Sequence, residues 1–336
     1  MTHSSTLTME NFFRLTNWHE LHNLLDNLEH SIPFEAALRY YGNTWPVPDD
    51  LNEPFSPGNF VSSDLTAIYL NDIPVIFQGT NKWSEKLYYP IDYFQTKLGE
   101  IFERCLKIRS DHKNSRICMI VVPEKDFVIS AEYLAECRFD AMREAFSSLK
   151  KQLEEIEISL VFDGPLRGME RHLDVSKYRY PDTHLHPRNY IVVFAQALKA
   201  LGYKWSSVAP NIEVASQKLY LDLSGKFDEL REGATPFCEI NFLASGVKQI
   251  SGSDYFEQPL GQTEQIFSNR QAIIKKDILI LGDSHSSIYE QRRLTYLFAN
   301  CFQRTKFSWN PAGIRQDVSE TTAEHIVLEI SQRFLF

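Results

Sequence analysis

The chain of 336 residues contains no C-x-x-C pair, and its five cysteines, Cys105, Cys118, Cys137, Cys238 and Cys301, are an odd number spread far apart. That pattern speaks against a disulfide framework and a thiolate zinc knuckle, and leaves buried, inert thiols as the expectation. No apolar run reaches the roughly 18 to 20 residues a membrane-crossing helix needs, so no transmembrane segment is expected. Positive charge is in deficit: 35 Lys and Arg face 44 Asp and Glu, a formal net charge of −9. Nucleic acid and anionic membrane surfaces both require a basic footprint, so broad binding to either is excluded. The first thirty residues lack a basic start followed by an apolar core, so no secretory signal is read and a cytoplasmic location is expected. Internal repeats and low-complexity segments are absent.

What the chain does have is the composition of a globular protein, 43% hydrophobic and 13% aromatic, with length enough for one large α/β domain. Residues 1–60 are poorly patterned and proline-rich towards their end, and are expected to form an N-terminal arm. Residues 61–336 are expected to form the main folded domain. Two short strands with a turn at Asn71-Asp72 are predicted over 66–78, a helix over 91–108 and a buried strand over 117–122. A long helix from Ser130, a plausible N-cap, is followed by the strand "IEISLVF" and by a helix ending at Gly202. Residues 205–270 are less regular and are expected to form a β-containing insertion. The strand-helix alternation returns with a strand at 277–281, a helix over 288–303, "KFSW" and "HIVLEI". Repeated alternation of this kind predicts a parallel central sheet covered by helices, a three-layer α/β/α domain.

Two blocks carry chemistry. In "ILILGDSHS" an apolar strand ends abruptly at Gly282-Asp283-Ser284-His285, where the glycine permits a tight turn. Ligands of doubly wound sheets bind beyond the carboxyl ends of the strands, and Ser284 falls there. A helix starting near Ser284 would offer its N–H groups to an oxyanion, or would simply use Ser284 as its cap. A serine nucleophile needs a base. The second block, "DTHLH", supplies one: Asp182 lies two positions before His184, on the same side of an extended segment, and can orient the imidazole. Asp182, His184 and His186, with His172, could alternatively approach a metal, but no further cluster is evident and no metal is expected.

Together these blocks resemble the SGNH (GDSL-like) hydrolase superfamily. The order DTH before GDS is similar to the permuted arrangement of the AlgX and AlgJ-like polysaccharide O-acetyltransferase family, whose members typically carry a DTHWN-like block. "VVPEK", "LYLDLSG" and "HIVLEISQRFL" are weaker echoes, the last matching a strand that in the family usually shows an acidic residue and an arginine. The resemblance spans roughly residues 65–336. It departs at Leu185-His186, where the family has Trp-Asn, and at His285, where it usually has Phe.

The resemblance implies an SGNH-like fold and a carbohydrate O-acetyltransferase working through an acyl-serine. Ser284 would be the nucleophile, His184 the base and Asp182 its orienter. The N–H of Ser284 or His285 would serve the oxyanion, and Asn310, Arg333 and His186 are candidates for the rest of that hole or for substrate contact. A carbohydrate acceptor and an acyl donor are implied. No bound cofactor is required, and the donor would be soluble, such as acetyl-CoA, or delivered by a membrane partner. An esterase or deacetylase of the same fold and a non-catalytic glycan-binding member are the alternatives.

Overall fold

A computed structural model of the chain describes residues 65–70, 73–78, 91–122, 140–161, 184, 187–204, 207, 212–219, 235–242, 246–252, 264–287, 293–313 and 322–335. The expected N-terminal arm, the Ser130 cap, Asp182, His186 and His172 lie outside these residues. The described elements begin with an antiparallel pair, β1 (Leu65–Leu70) and β2 (Ile73–Gln78), and the predicted turn residues Asn71 and Asp72 lie outside the described residues. Then come α1 (Ile91–Asp111), β3 (Arg116–Val122), α2 (Asp140–Glu155), β4 (Ile158–Leu160) and α3 (Pro187–Ala200). A second antiparallel pair, β5 (Ile212–Leu219) and β6 (Thr235–Phe242), precedes β7 (Val247–Gly252) and β8 (Glu264–Asn269). The described elements close with β9 (Ile274–Gly282), α4 (Leu294–Cys301), β10 (Phe302–Trp309) and β11 (His325–Ser331).

The central sheet has seven strands in the order β4-β3-β11-β9-β10-β8-β7. From β4 to β10 every neighbour is parallel, whereas β8 and β7 join antiparallel at one edge. The region expected to be an irregular insertion is thus divided. Its first half is the separate β5–β6 pair, and its second half extends the sheet. Sequence periodicity misses this because edge strands bury one face at most: β8 alternates, while β7 is exposed along nearly its whole length.

The middle of the sheet is where the core sits. Ile117 to Val122 of β3 and all of β11 are buried, because parallel strands covered on both faces have no side left for water. Moving from β3 to β4 takes the chain one way across the sheet, and from β9 to β10 the other. Right-handed crossovers then put the connecting helices on opposite faces. The helix contacts agree: α1 packs with α2, and α3 with α4, where Phe194 meets Phe298 edge-on at 5.0 Å. On α3 the buried positions Tyr190, Val193, Phe194, Ala197, Leu198 and Leu201 recur three and four apart, one stripe facing inward. Its C-terminus is closed by Gly202 at φ +85°, a left-handed position that favours glycine. No described helix is long and apolar enough to cross a membrane.

Cys105, Cys118 and Cys301 are buried. Burial pushes the thiols of Cys105 and Cys301 up to about 12 and that of Cys118 higher still, so they are unreactive at neutral pH. At the amino end of the sheet, His325 is buried with Nε2 3.0 Å from the Tyr203 hydroxyl. Burial depresses its pKa from 6.5 to about 4. Between these two values the unfolded chain binds a proton that the folded chain refuses, so stability must fall as pH drops through that window. His325→Gln, which keeps a polar partner for Tyr203, is expected to flatten this acid limb in urea melts between pH 7 and 4. An unchanged slope would show that other groups set it.

Candidate active site

Gly282 ends β9, and its carbonyl accepts the N–H of Asn310 at 3.1 Å. Trp309 pairs with Gly282 across the sheet, so Asn310 follows directly beside the GDS segment, and it is buried. The chain then turns: the N–H groups of Ser286 and Ser287 both reach the Asp283 carbonyl, at 3.1 and 3.0 Å. From Gly282 to Ser287 every residue is buried except Ser284, which is half-buried. The site lies at the carboxyl ends of β9 and β11; β9 connects to β10 on one side and β3, beyond β11, connects to β4 on the other, and open α/β sheets bind ligands where connections diverge in this way.

The turn corrects two expectations. α4 begins at Leu294 with Arg293 at its N-cap, so Ser284 is not the cap of that helix, although the Leu294 N–H donates to the His285 carbonyl at 3.3 Å and keeps the start of α4 beside the turn. The N–H of His285 donates to Asp283 Oδ1 at 2.9 Å, which removes it as an oxyanion donor and leaves the N–H of Ser284 as the backbone candidate. The reason is local: a short carboxylate at Asp283 captures the N–H two residues on, an alternative to continuing into a helix. The role of Gly282 also differs from the expected tight turn. Its φ is not positive, but an added Cβ would lie 2.5 Å from Glu329 Oε2 and 2.7 Å from Ser286 Cβ. Glycine is needed here for close approach.

Asp283 is the anchor. Its Oδ2 accepts the N–H of Ser331 at 2.7 Å and the Ser331 hydroxyl at 2.5 Å, so the turn after β9 is tied to the end of β11. Its own N–H donates to Glu329 Oε2 at 2.9 Å. Glu329 is wholly buried, and among the described residues its Oε1 has no hydrogen-bond partner. Burial first, and then the negative charge of Asp283, hold the Glu329 carboxyl well above the usual range, against the opposing hydrogen bond of the Asp283 N–H. Arg293, also buried, donates to the Ser284 carbonyl and, at 3.1 Å, to Ser287 Oγ. Ser287 Oγ itself donates to the Ser284 carbonyl at 3.1 Å.

The second block meets this turn. His184, one hundred positions upstream of Ser284, is buried with its ring edge-on to His285 at 5.1 Å between centroids. The Tyr190 hydroxyl, from the first turn of α3, lies 2.8 Å from His285 Nδ1. The structure thus brings together His184, Ser284, His285 and Asn310. Arg333 follows β11 in a short 3-10 turn, and its side chain lies outside the described residues. Among the described residues no group of His, Cys, Asp and Glu is arranged to hold a metal ion. Sequence reasoning missed Tyr190, Arg293, Asp283 and Glu329. Glu329 had a signal in the acidic residue of the closing strand, and Asp283 lay inside the GDS block. Nothing in the sequence distinguishes Arg293 from its neighbour Arg292.

The chain has an α/β fold with a central, mostly parallel sheet of seven strands and helices packed on it, in keeping with the parallel sheet and covering helices that were expected. Among solved structures it is similar to PatB1 of Bacillus cereus, at 10% identity, 81% coverage of this chain, 97% of that chain and a TM-score of 0.52. At that identity the likeness speaks for the fold alone. A DHHW family protein from Eubacterium siraeum aligns at 10% identity, over 81% of this chain and 92% of its own, with a TM-score of 0.49. The O-acetyltransferase domain of Pseudomonas putida AlgJ aligns at 13% identity, over 80% and 92%, with a TM-score of 0.44. Both of these likenesses are too loose to bear on chemistry. No protein-family model matches the chain, and no curated protein matches its sequence.

Three substitutions at two positions probe this arrangement. Above pH 4.5 an unfolded Glu329 gives up its proton while the folded one keeps it, so this group lowers stability as pH rises. Glu329→Gln, whose amide oxygen can still accept from Asp283, is expected to equal or exceed the wild type in neutral-pH melts. Glu329→Ala should lose about 2–4 kcal/mol through the cavity and the orphaned N–H. Gly282→Ala should cost about 1–3 kcal/mol by overpacking, read as a lower urea midpoint; an unchanged midpoint would contradict the close approach.

Proposed function

We propose that the chain is a carbohydrate O-acetyltransferase acting through an acyl-serine at Ser284, with His184 as base and Asp182 as its orienter. The observation that carries this reading is the convergence of the two blocks: His184 packs against His285, the residue next to Ser284, at the carboxyl edge of the sheet. A buried imidazole packed on the residue next to a half-buried serine supports the base-and-serine pairing that nucleophilic catalysis requires.

In this reading His184 takes the Ser284 hydroxyl proton as the oxygen attacks the donor's acyl carbonyl. The leaving group departs with that proton, and an ester remains on Ser284. A sugar hydroxyl then gives its proton to His184 and attacks the ester, and Ser284 recovers its hydrogen. The Ser284 N–H and Asn310 are the donors assigned to the oxyanion, and His186 and Arg333 are assigned to substrate contact. The donor is assigned as acetyl-CoA or a partner-delivered acyl group, with no bound cofactor. The choice of sugar over water as acceptor rests on the sequence resemblance.

Intact mass after brief exposure to p-nitrophenyl acetate tests the serine route. One acetyl is expected on the wild type and none on Ser284→Ala or His184→Ala. An adduct that persists in Ser284→Ala sinks the proposal. Oligosaccharides that speed p-nitrophenol release and emerge acetylated support transfer, whereas free acetate as sole product assigns the chain to the esterases.

A further inference from the structure

The stripe on α3 carries a residue that neither block contains. Tyr190 lies three positions into the helix, and the spacing that buries Val193, Phe194, Ala197 and Leu198 buries its ring completely. A buried phenol must place its hydroxyl on a partner. It does so on His285, 2.8 Å away at Nδ1, with the two rings 5.9 Å apart. His285 is itself buried, and on another side it meets the His184 ring at 5.1 Å. A phenol gives up its proton to a hydrogen bond more readily than it accepts one, so Tyr190 donates and Nδ1 accepts, which puts the His285 ring proton on Nε2.

We infer that Tyr190 is a positioning residue, which through its hydrogen bond to His285 fixes the orientation and tautomer of that ring and thereby seats His184 against the serine turn. This inference rests on the proposed acyl-serine reading. Its physical basis is leverage. His184 lies just ahead of α3, the serine turn follows β9, and the Tyr190–His285 bond joins helix to turn beside the packed histidines. A base misplaced by about an ångström loses on the order of a hundredfold in rate, and the loss of one hydrogen bond is expected to allow part of that.

The test uses the full chain with Tyr190→Phe, His285→Gln and the double variant, reading the p-nitrophenyl acetate burst and the imidazole ¹⁵N shifts of His285. The wild-type ring should show the Nε2–H tautomer, and Tyr190→Phe should lose that preference. Acylation by Tyr190→Phe should slow about tenfold with the substrate concentration for half-maximal rate little changed. Adding Tyr190→Phe to His285→Gln should cause no further fall, because the two act through one contact. His285→Gln leaves the α3 stripe intact, so it reads the same link should Tyr190→Phe fold poorly. Acylation of Tyr190→Phe within about twofold of wild type, or effects that multiply in the double variant, would overturn the positioning role while leaving the acyl-serine intact. A wild type that is never acylated would instead overturn the functional reading and the role with it.

Discussion

The carboxylate of Asp283 accepts hydrogen bonds from donors on two separate segments, the N–H of His285 within its own turn and the N–H and hydroxyl of Ser331 at the end of β11. That one side chain closes the turn after β9 and fastens it to the neighbouring strand. These bonds lie away from water, where a hydrogen bond is electrostatically stronger than in solvent. The exposure of Ser284 is a consequence. A turn held from below by Asp283, and by Arg293 and Ser287 at the Ser284 carbonyl, leaves the serine as its least buried residue.

A second carboxylate beneath the same turn would repel the first if both were ionised. The structure meets this by burying Glu329 so fully that it keeps its proton, and by sparing it a neighbour at Gly282. The contrast between the two acids is one of environment. Three donors converge on Asp283, and one N–H faces Glu329. Such a pair demands close packing, which is why the position before Asp283 has no room for a methyl group.

Much of the architecture is legible in the residues. The apolar runs at 117–122, 278–281 and 326–330 are parallel strands because nothing in them is polar enough to face water, apart from Glu329. The stripe on α3 could be counted off directly. The extent of α4 could not: its pattern merges with the residues before Leu294 and with the apolar start of β10. The affiliation of β7 and β8 was equally hidden, because pairing is decided by a partner more than thirty positions away. Ser284 was visible as a residue of interest, but its surroundings were not.

By itself the sequence determined the α/β alternation, the burial of Cys105, Cys118 and Cys301, and two polar blocks a hundred positions apart, since these arise from local periodicity and from the scarcity of particular residue types. Only the tertiary structure decided that His184 lies against His285, that Tyr190 reaches that same ring, that the N–H of His285 belongs to Asp283, and that burial holds the Glu329 carboxyl above its usual range. Each of these depends on distances between segments remote in the chain and on how completely water is excluded between them. Neither quantity is written in residue order, because hydrogen bonds and proton affinities respond to the neighbours that folding supplies.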